Sequence, residues 1–219
     1  VNAPSISVET MSVLRPYLNV GTTIGRVAVQ LIKGNLKSVT IRYEGNIAKD
    51  NTTPIKAAVL NGILETISDV RVNSVNADVV ASSRGIAITE QKDDVYENYT
   101  NMLTVEIYTN TGSTLVAGAS LRGRTYIVRV NDYWLEIEPS GSHMLFTEHK
   151  DRPGMVGAVG TILGNASVNI SQMQVSSGIQ LGGKAMMALC LNKAIPTKFY
   201  EQILVIPDMY RALVVELVR

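Results

Sequence analysis

The sequence predicts an α+β fold in two parts: N-terminal helices with a mostly antiparallel sheet, then a ferredoxin-like βαββαβ domain. Three observations carry this. Apolar residues repeat at helical spacing through 8–33 and 54–67. Alternating, strand-like runs crowd 85–137. Residues 144–219 then follow the order strand, helix, strand, strand, helix, strand. Pro139-Ser140-Gly141-Ser142 reads as a linker, giving domains at 1–138 and 144–219.

Each element has its own warrant. Ile24, Val27, Ala28, Leu31 and Ile32 share a helix face, and Pro16 and Gly21 predict a break or kink in that helix. Val39, Ile41 and Tyr43 alternate as a half-buried strand over 37–44. Ile55, Ala58, Val59, Gly62 and Ile63 restore helical spacing, with Thr53 as the expected N-cap. A short extended piece at 73–76 and a helix ending at Gly85 follow. Strands are expected at 85–89, 102–109, 114–121, 125–130 and 133–137, with Asn131-Asp132 as the turn between the last two. The second domain reads strand 144–150, helix 154–163, strand 169–175, a glycine-rich hairpin at 176–183, strand 184–191, helix 196–205 and strand 210–218.

Bulk properties exclude several functions. The net charge of +1 offers no concentrated basic face for nucleic acid. No run approaches the ~20 apolar residues needed to cross a bilayer, so no membrane partner is expected. Cys190 stands alone in the apolar run 185–191, which excludes an internal disulfide framework and a cysteine-held metal or iron–sulfur cluster. Its own reading is a buried, inert thiol. One cysteine fits a reducing, cytoplasmic setting, with a plastid or other organelle left open. Val1-Asn2-Ala3-Pro4 has no methionine or signal-peptide pattern and reads as a piece of something longer.

No catalytic constellation emerges. There is no G-x-G-x-x-G after a strand, and His143 and His149 lack metal-ligand spacing. Asp93 and Asp94 read as a solvated loop. Two groups do rise above background. His149, Asp151 and Gly154 lie where a strand meets a helix, with Pro153 suited to the first helical position, and Asn169 opens the next strand. Asp151 can accept from an ammonium, and the amides bared beside Gly154 can take a carboxylate. Asn169 and His149 can each donate or accept. A capping aspartate, a solvent-facing histidine and a turn asparagine explain the same residues equally well. The second group is Arg122, Arg124 and Arg129, with Arg84 if the sheet folds back, which could grip phosphate or carboxylate. Arginines exposed singly on a sheet are the commoner case.

His149, Asp151-Arg152-Pro153-Gly154 and Val168-Asn169-Ile170 resemble an ACT domain, an amino-acid-sensing module. Val1–Ile6, Tyr17-Leu18, Gly25-Arg26, 73–77, Arg84-Gly85-Ile86 and 127–131 resemble the C-terminal part of the long-form D-3-phosphoglycerate dehydrogenase family. The resemblance implies a regulatory, non-catalytic stretch with no cofactor of its own. The family's NAD site and catalytic residues would lie in an N-terminal part. It also implies self-association through ACT domains, with L-serine or a similar amino acid at their interface on His149, Asp151 and Asn169. The family's inserted domain implies an anion or substrate site, although Tyr126 stands where other members use a lysine. Two other classes compete. A serine dehydratase-like enzyme would need the cluster that Cys190 cannot hold. A stand-alone ACT subunit or dimerisation module would bind no amino acid.

Overall fold

The computed structural model describes residues 8–67, 76–95, 98–178 and 183–217. The chain divides into two compact units between Asn131 and Asp132, so residues 133–137 count with the second.

The first unit opens with α1 (Val8–Leu31), followed by β1 (Leu36–Gly45), a 3-10 turn (Asn46–Lys49) and α2 (Thr53–Ile67). α3 (Ala77–Ser83), β2 (Ala87–Asp93), β3 (Asn101–Thr109), β4 (Ser113–Leu121) and β5 (Arg124–Val130) complete it. The strands run in the order β2-β1-β3-β4-β5. All pairs are antiparallel except β1 with β2, whose connection crosses over through α2 and α3. Val39, Ile41 and Tyr43 are fully buried, as their alternation predicts. Opposite them in register stand Ile107, Val105 and Leu103, equally buried, so one sheet face is continuously apolar. α1 packs across that face on β3, β4 and β5.

Of the break or kink expected in α1, the break does not occur: one helix runs through both Pro16 and Gly21. Proline forfeits one backbone bond and disfavours the turn before it. That loss is outweighed by the apolar stripe it interrupts, in which Leu14, Val20, Ile24 and Val27 are fully buried. The glycines are contact points rather than breakers. A Cβ on Gly25 would strike the Val59 carbonyl oxygen, and one on Gly62 would strike that of Thr22. α1 and α2 therefore touch backbone to backbone.

Helix boundaries shift by a residue or two. Thr52, not Thr53, caps α2: its carbonyl accepts the Lys56 N–H at 2.9 Å, while Asn51 Oδ1 takes the Thr53 N–H at 3.1 Å. α3 stops just before Gly85, whose φ of 69° ends it as expected. The extended piece at 73–76 lies almost wholly outside the described residues. Asp93 closes β2 by accepting the Val95 N–H at 3.0 Å, a local turn in keeping with the solvated reading. Asn131 has φ 50°, the left-handed geometry expected at that turn.

The second unit holds β6 (Tyr133–Ile137), β7 (His143–Lys150), α4 (Met155–Asn165), β8 (Ile170–Ser177), β9 (Lys184–Leu191), α5 (Thr197–Leu204) and β10 (Met209–Glu216). Its four-stranded sheet has the order β10-β7-β9-β8, antiparallel throughout. With two helices on one face, this is the ferredoxin-like βαββαβ arrangement. Met155, Val159 and Leu163 of α4 and Ile203 of α5 bury against Leu145, Met187, Leu189, Leu191 and Ala212. The Tyr200 hydroxyl donates to the Ala212 carbonyl at 2.8 Å and pins α5 to β10. Most of the hairpin between β8 and β9, 179–182, lies outside the described residues, as does the end of the last strand at Val218.

Candidate functional site

The β7–α4 junction is built from the end of a buried strand and a helix start without a side-chain cap. His149 is not solvent-facing: it is 2% exposed and shares its side of β7 with Thr147 and Leu145. Its Nδ1 lies 3.4 Å from Thr147 Oγ1. Burial pushes the imidazole pKa below its ordinary 6.5; the charge of Asp151 opposes this, Arg152 adds to it, and Glu148 opposes it again. His149 is therefore a neutral imidazole near pH 7, able to donate from one nitrogen and accept at the other.

Asp151 is held by its backbone, its N–H donating to the Gly183 carbonyl at 2.7 Å. Its half-buried carboxylate accepts no hydrogen bond among the described residues. Pro153 is not the first helical residue. Gly154 follows it at φ 90°, ψ −15°, a left-handed conformation that cannot belong to the helix, and α4 begins at Met155. Gly154 thus serves as N-cap without a side chain, so the amides of the first turn of α4 lack a side-chain acceptor.

Asn169 lies elsewhere in the same unit. Across the sheet, His149 is in register with Ala185 of β9, whereas Ile170, next to Asn169, is in register with Leu191. Six residues of strand separate the two, roughly 20 Å at ~3.3 Å per residue. A single chain does not unite the group. The Asn169 side chain is exposed and makes no hydrogen bond among the described residues. Its backbone is fixed by Asn192, whose Oδ1 accepts the Asn169 N–H at 2.9 Å and whose N–H donates to the Asn169 carbonyl at 3.2 Å. Asn192 follows β9 with no local motif, so only tertiary pairing reveals its task.

The arginines do not converge. Arg122 and Arg124 flank Gly123 in the β4–β5 hairpin, both exposed, with Arg122 at φ 53°. Arg129 lies near the far end of β5, where its Nε donates to the Asn131 carbonyl at 2.6 Å. Arg84 precedes β2, which β1, β3 and β4 separate from β5, and its Nη1 donates to the Ile67 carbonyl at 3.0 Å. The sheet spreads these residues because β2 and β5 are its two outer members within this unit. Only Arg122 and Arg124 remain neighbours.

Cys190 is buried, its Sγ donating to the Glu138 carbonyl at 3.5 Å, and burial pushes its thiol pKa up. Among the described residues no group of three or more His, Cys, Asp or Glu is placed to hold a metal ion. None of the described helices is long and apolar enough to cross a membrane.

Residues 13–131 match the family model of the D-3-phosphoglycerate dehydrogenase intervening domain. Over 99% of its length the chain is 34% identical to D-3-phosphoglycerate dehydrogenase of Synechocystis, covering 39% of that protein. The Bacillus subtilis enzyme of the same name is 32% identical over 99% of this chain and 41% of its own length. That of Methanocaldococcus jannaschii is 31% identical, with the same two coverages. The chain thus spans about two fifths of the curated relatives it matches, and it belongs to the D-3-phosphoglycerate dehydrogenase family, whose intervening domain it carries.

Proposed function

We propose that this chain is the regulatory part of an NAD-dependent D-3-phosphoglycerate dehydrogenase. Its second unit acts as an ACT domain that binds L-serine, or a similar small amino acid, between two copies. The observation that carries this reading is the separation of His149 and Asp151 from Asn169 to opposite ends of one sheet. A two-fold axis beside the edge strand β8 runs the two α4 helices antiparallel, and each Asn169 then meets the other copy's Asp151–Gly154 loop. β8 supports such pairing, because Met173 and Val175 are 40% and 43% exposed along it. So does α4, where Gly157, Gly160 and Gly164 present open space instead of side chains.

The chemistry at each of the two sites matches a zwitterion. The Asp151 carboxylate receives the ammonium, the amides at the start of α4 receive the carboxylate, and Asn169 of the facing copy and His149 read the remaining polar group. On this reading NAD binding and redox chemistry belong to another part of the enzyme. Serine bound between copies biases that part only as far as it discriminates between arrangements of the pair.

Isothermal titration of the paired chain with L-serine tests the reading. Saturable heat that disappears in Asn169→Ala supports it. Intact pairs giving no heat would leave a dimerisation module that senses no amino acid.

A further inference from the structure

Arg152 stands between Asp151 and Pro153 in the loop that carries the candidate site, yet its guanidinium is committed elsewhere. Nε donates to Asp208 Oδ2 at 2.6 Å, Nη2 to the Pro207 carbonyl at 2.9 Å and Nη1 to the Pro153 carbonyl at 3.3 Å. Asp208 adds a second tie, its carbonyl accepting the Lys150 N–H at 3.0 Å. The turn between α5 and β10 is thereby joined, by side chain and backbone together, to the end of β7 and to the loop after it. An ion pair whose partners are 35% and 41% exposed would hold little alone. Here three bonds cross from the turn to the end of β7 and the loop after it, and a fourth, to the Pro153 carbonyl, braces the loop itself.

The backbone supplies an independent observation. Asp208 sits at φ 68°, a conformation in which glycine is unstrained and side chains are not. A residue of strained geometry stands where glycine would relax the turn, and the carboxylate is the feature glycine lacks.

We infer that Arg152 and Asp208 form a clamp that positions the Asp151–Gly154 loop for its effector. This rests on the amino-acid-binding reading above. Both are positioning residues: neither side chain needs to touch the ligand. The clamp holds the loop ordered before binding, so less ordering is left to be done when the ligand arrives. The Asp151 N–H reports on the loop without any ligand, through its bond to the Gly183 carbonyl.

The test compares wild type, Asp208→Gly, Asp208→Asn and Arg152→Lys by amide hydrogen exchange over 150–158, by thermal melting and by titration with L-serine. Asp208→Gly relaxes the backbone and deletes the carboxylate. Its melting temperature should hold or rise, while Asp151 exchange quickens and L-serine affinity weakens by about three- to tenfold. Asp208→Asn tolerates the same φ and keeps an acceptor, so it should fall between. Arg152→Lys retains the charge without the fork and should resemble Asp208→Gly. Unchanged exchange in Asp208→Gly overturns the clamp; faster exchange with unaltered L-serine affinity overturns its positioning role. Failure of the effector reading would appear in the wild-type titration itself, and failure of the clamp only in the variants.

Discussion

His149 and Asn169 sit at opposite ends of one four-stranded sheet, in register with Ala185 and next to the partner of Leu191 on the same central strand. A ligand touching both must bridge two chains. Asn169→Ala and Asp151→Ala should each abolish L-serine binding alone, since both side chains lie off the apolar core. Mixed and re-paired, the two variants form hybrids with one intact site and one doubly defective site. Titration should then recover about a quarter of wild-type capacity for random pairing of a two-fold dimer. Recovery of none would place the site within a single chain.

Gly154 adopts φ 90° with open space around its Cα, so any cost of Gly154→Ala is conformational rather than steric. Chemical denaturation should show a loss of about 1–2 kcal/mol. Gly154→Asn should recover part of it, because asparagine enters the left-handed region more readily. A Gly154→Ala chain as stable as wild type would mean that the turn has shifted.

The lowered pKa of His149 makes stability depend on pH in a set direction. The unfolded chain takes up the proton near 6.5, the folded chain only at lower pH. Its contribution is therefore complete above 6.5 and is lost as pH falls through the folded value. Denaturant midpoints measured between about pH 5 and pH 8 should decline on the acid side. In His149→Gln that slope should flatten. An unchanged slope would assign the acid sensitivity to other groups.

Helix α2 lies so close to α1 that a Cβ on Gly62 would strike the Thr22 carbonyl and stand 2.9 Å from the Arg26 nitrogen. Gly62→Ala should cost about 1–3 kcal/mol in urea denaturation, the usual price of overpacking. Gly160→Ala in α4 meets nothing within 4 Å. In dilute, unpaired chains it should stabilise by about 0.5–1 kcal/mol, as removing a mid-helix glycine does. Sedimentation should show weaker pairing of that variant if α4 faces its counterpart. Opposite signs for the two substitutions are the diagnostic outcome.

Local pattern settled much of this protein. The alternation of Val39, Ile41 and Tyr43 determines which face of β1 is buried, because side chains on a strand point to opposite sides with period two. The order of elements after His143 suffices for the βαββαβ topology, since short connections and antiparallel pairing leave few alternatives. The left-handed turn at Asn131 and the end of α3 before Gly85 follow from residues that tolerate positive φ. Those two glycine-or-asparagine positions are readable because the constraint sits in one residue's own backbone.

Tertiary structure decided the rest. Gly21 looks like a helix breaker until α2 is seen lying against it, because close approach is a property of two helices and not of one. Arg84 and Arg129 look like members of one cluster until strand order carries them to opposite sides of the first unit's strands. The burial of His149, the backbone anchor at Asn192 and the tie between Arg152 and Asp208 all join residues far apart in sequence. Periodicity records which way a side chain points within its own element; what it meets there depends on where the other elements come to rest.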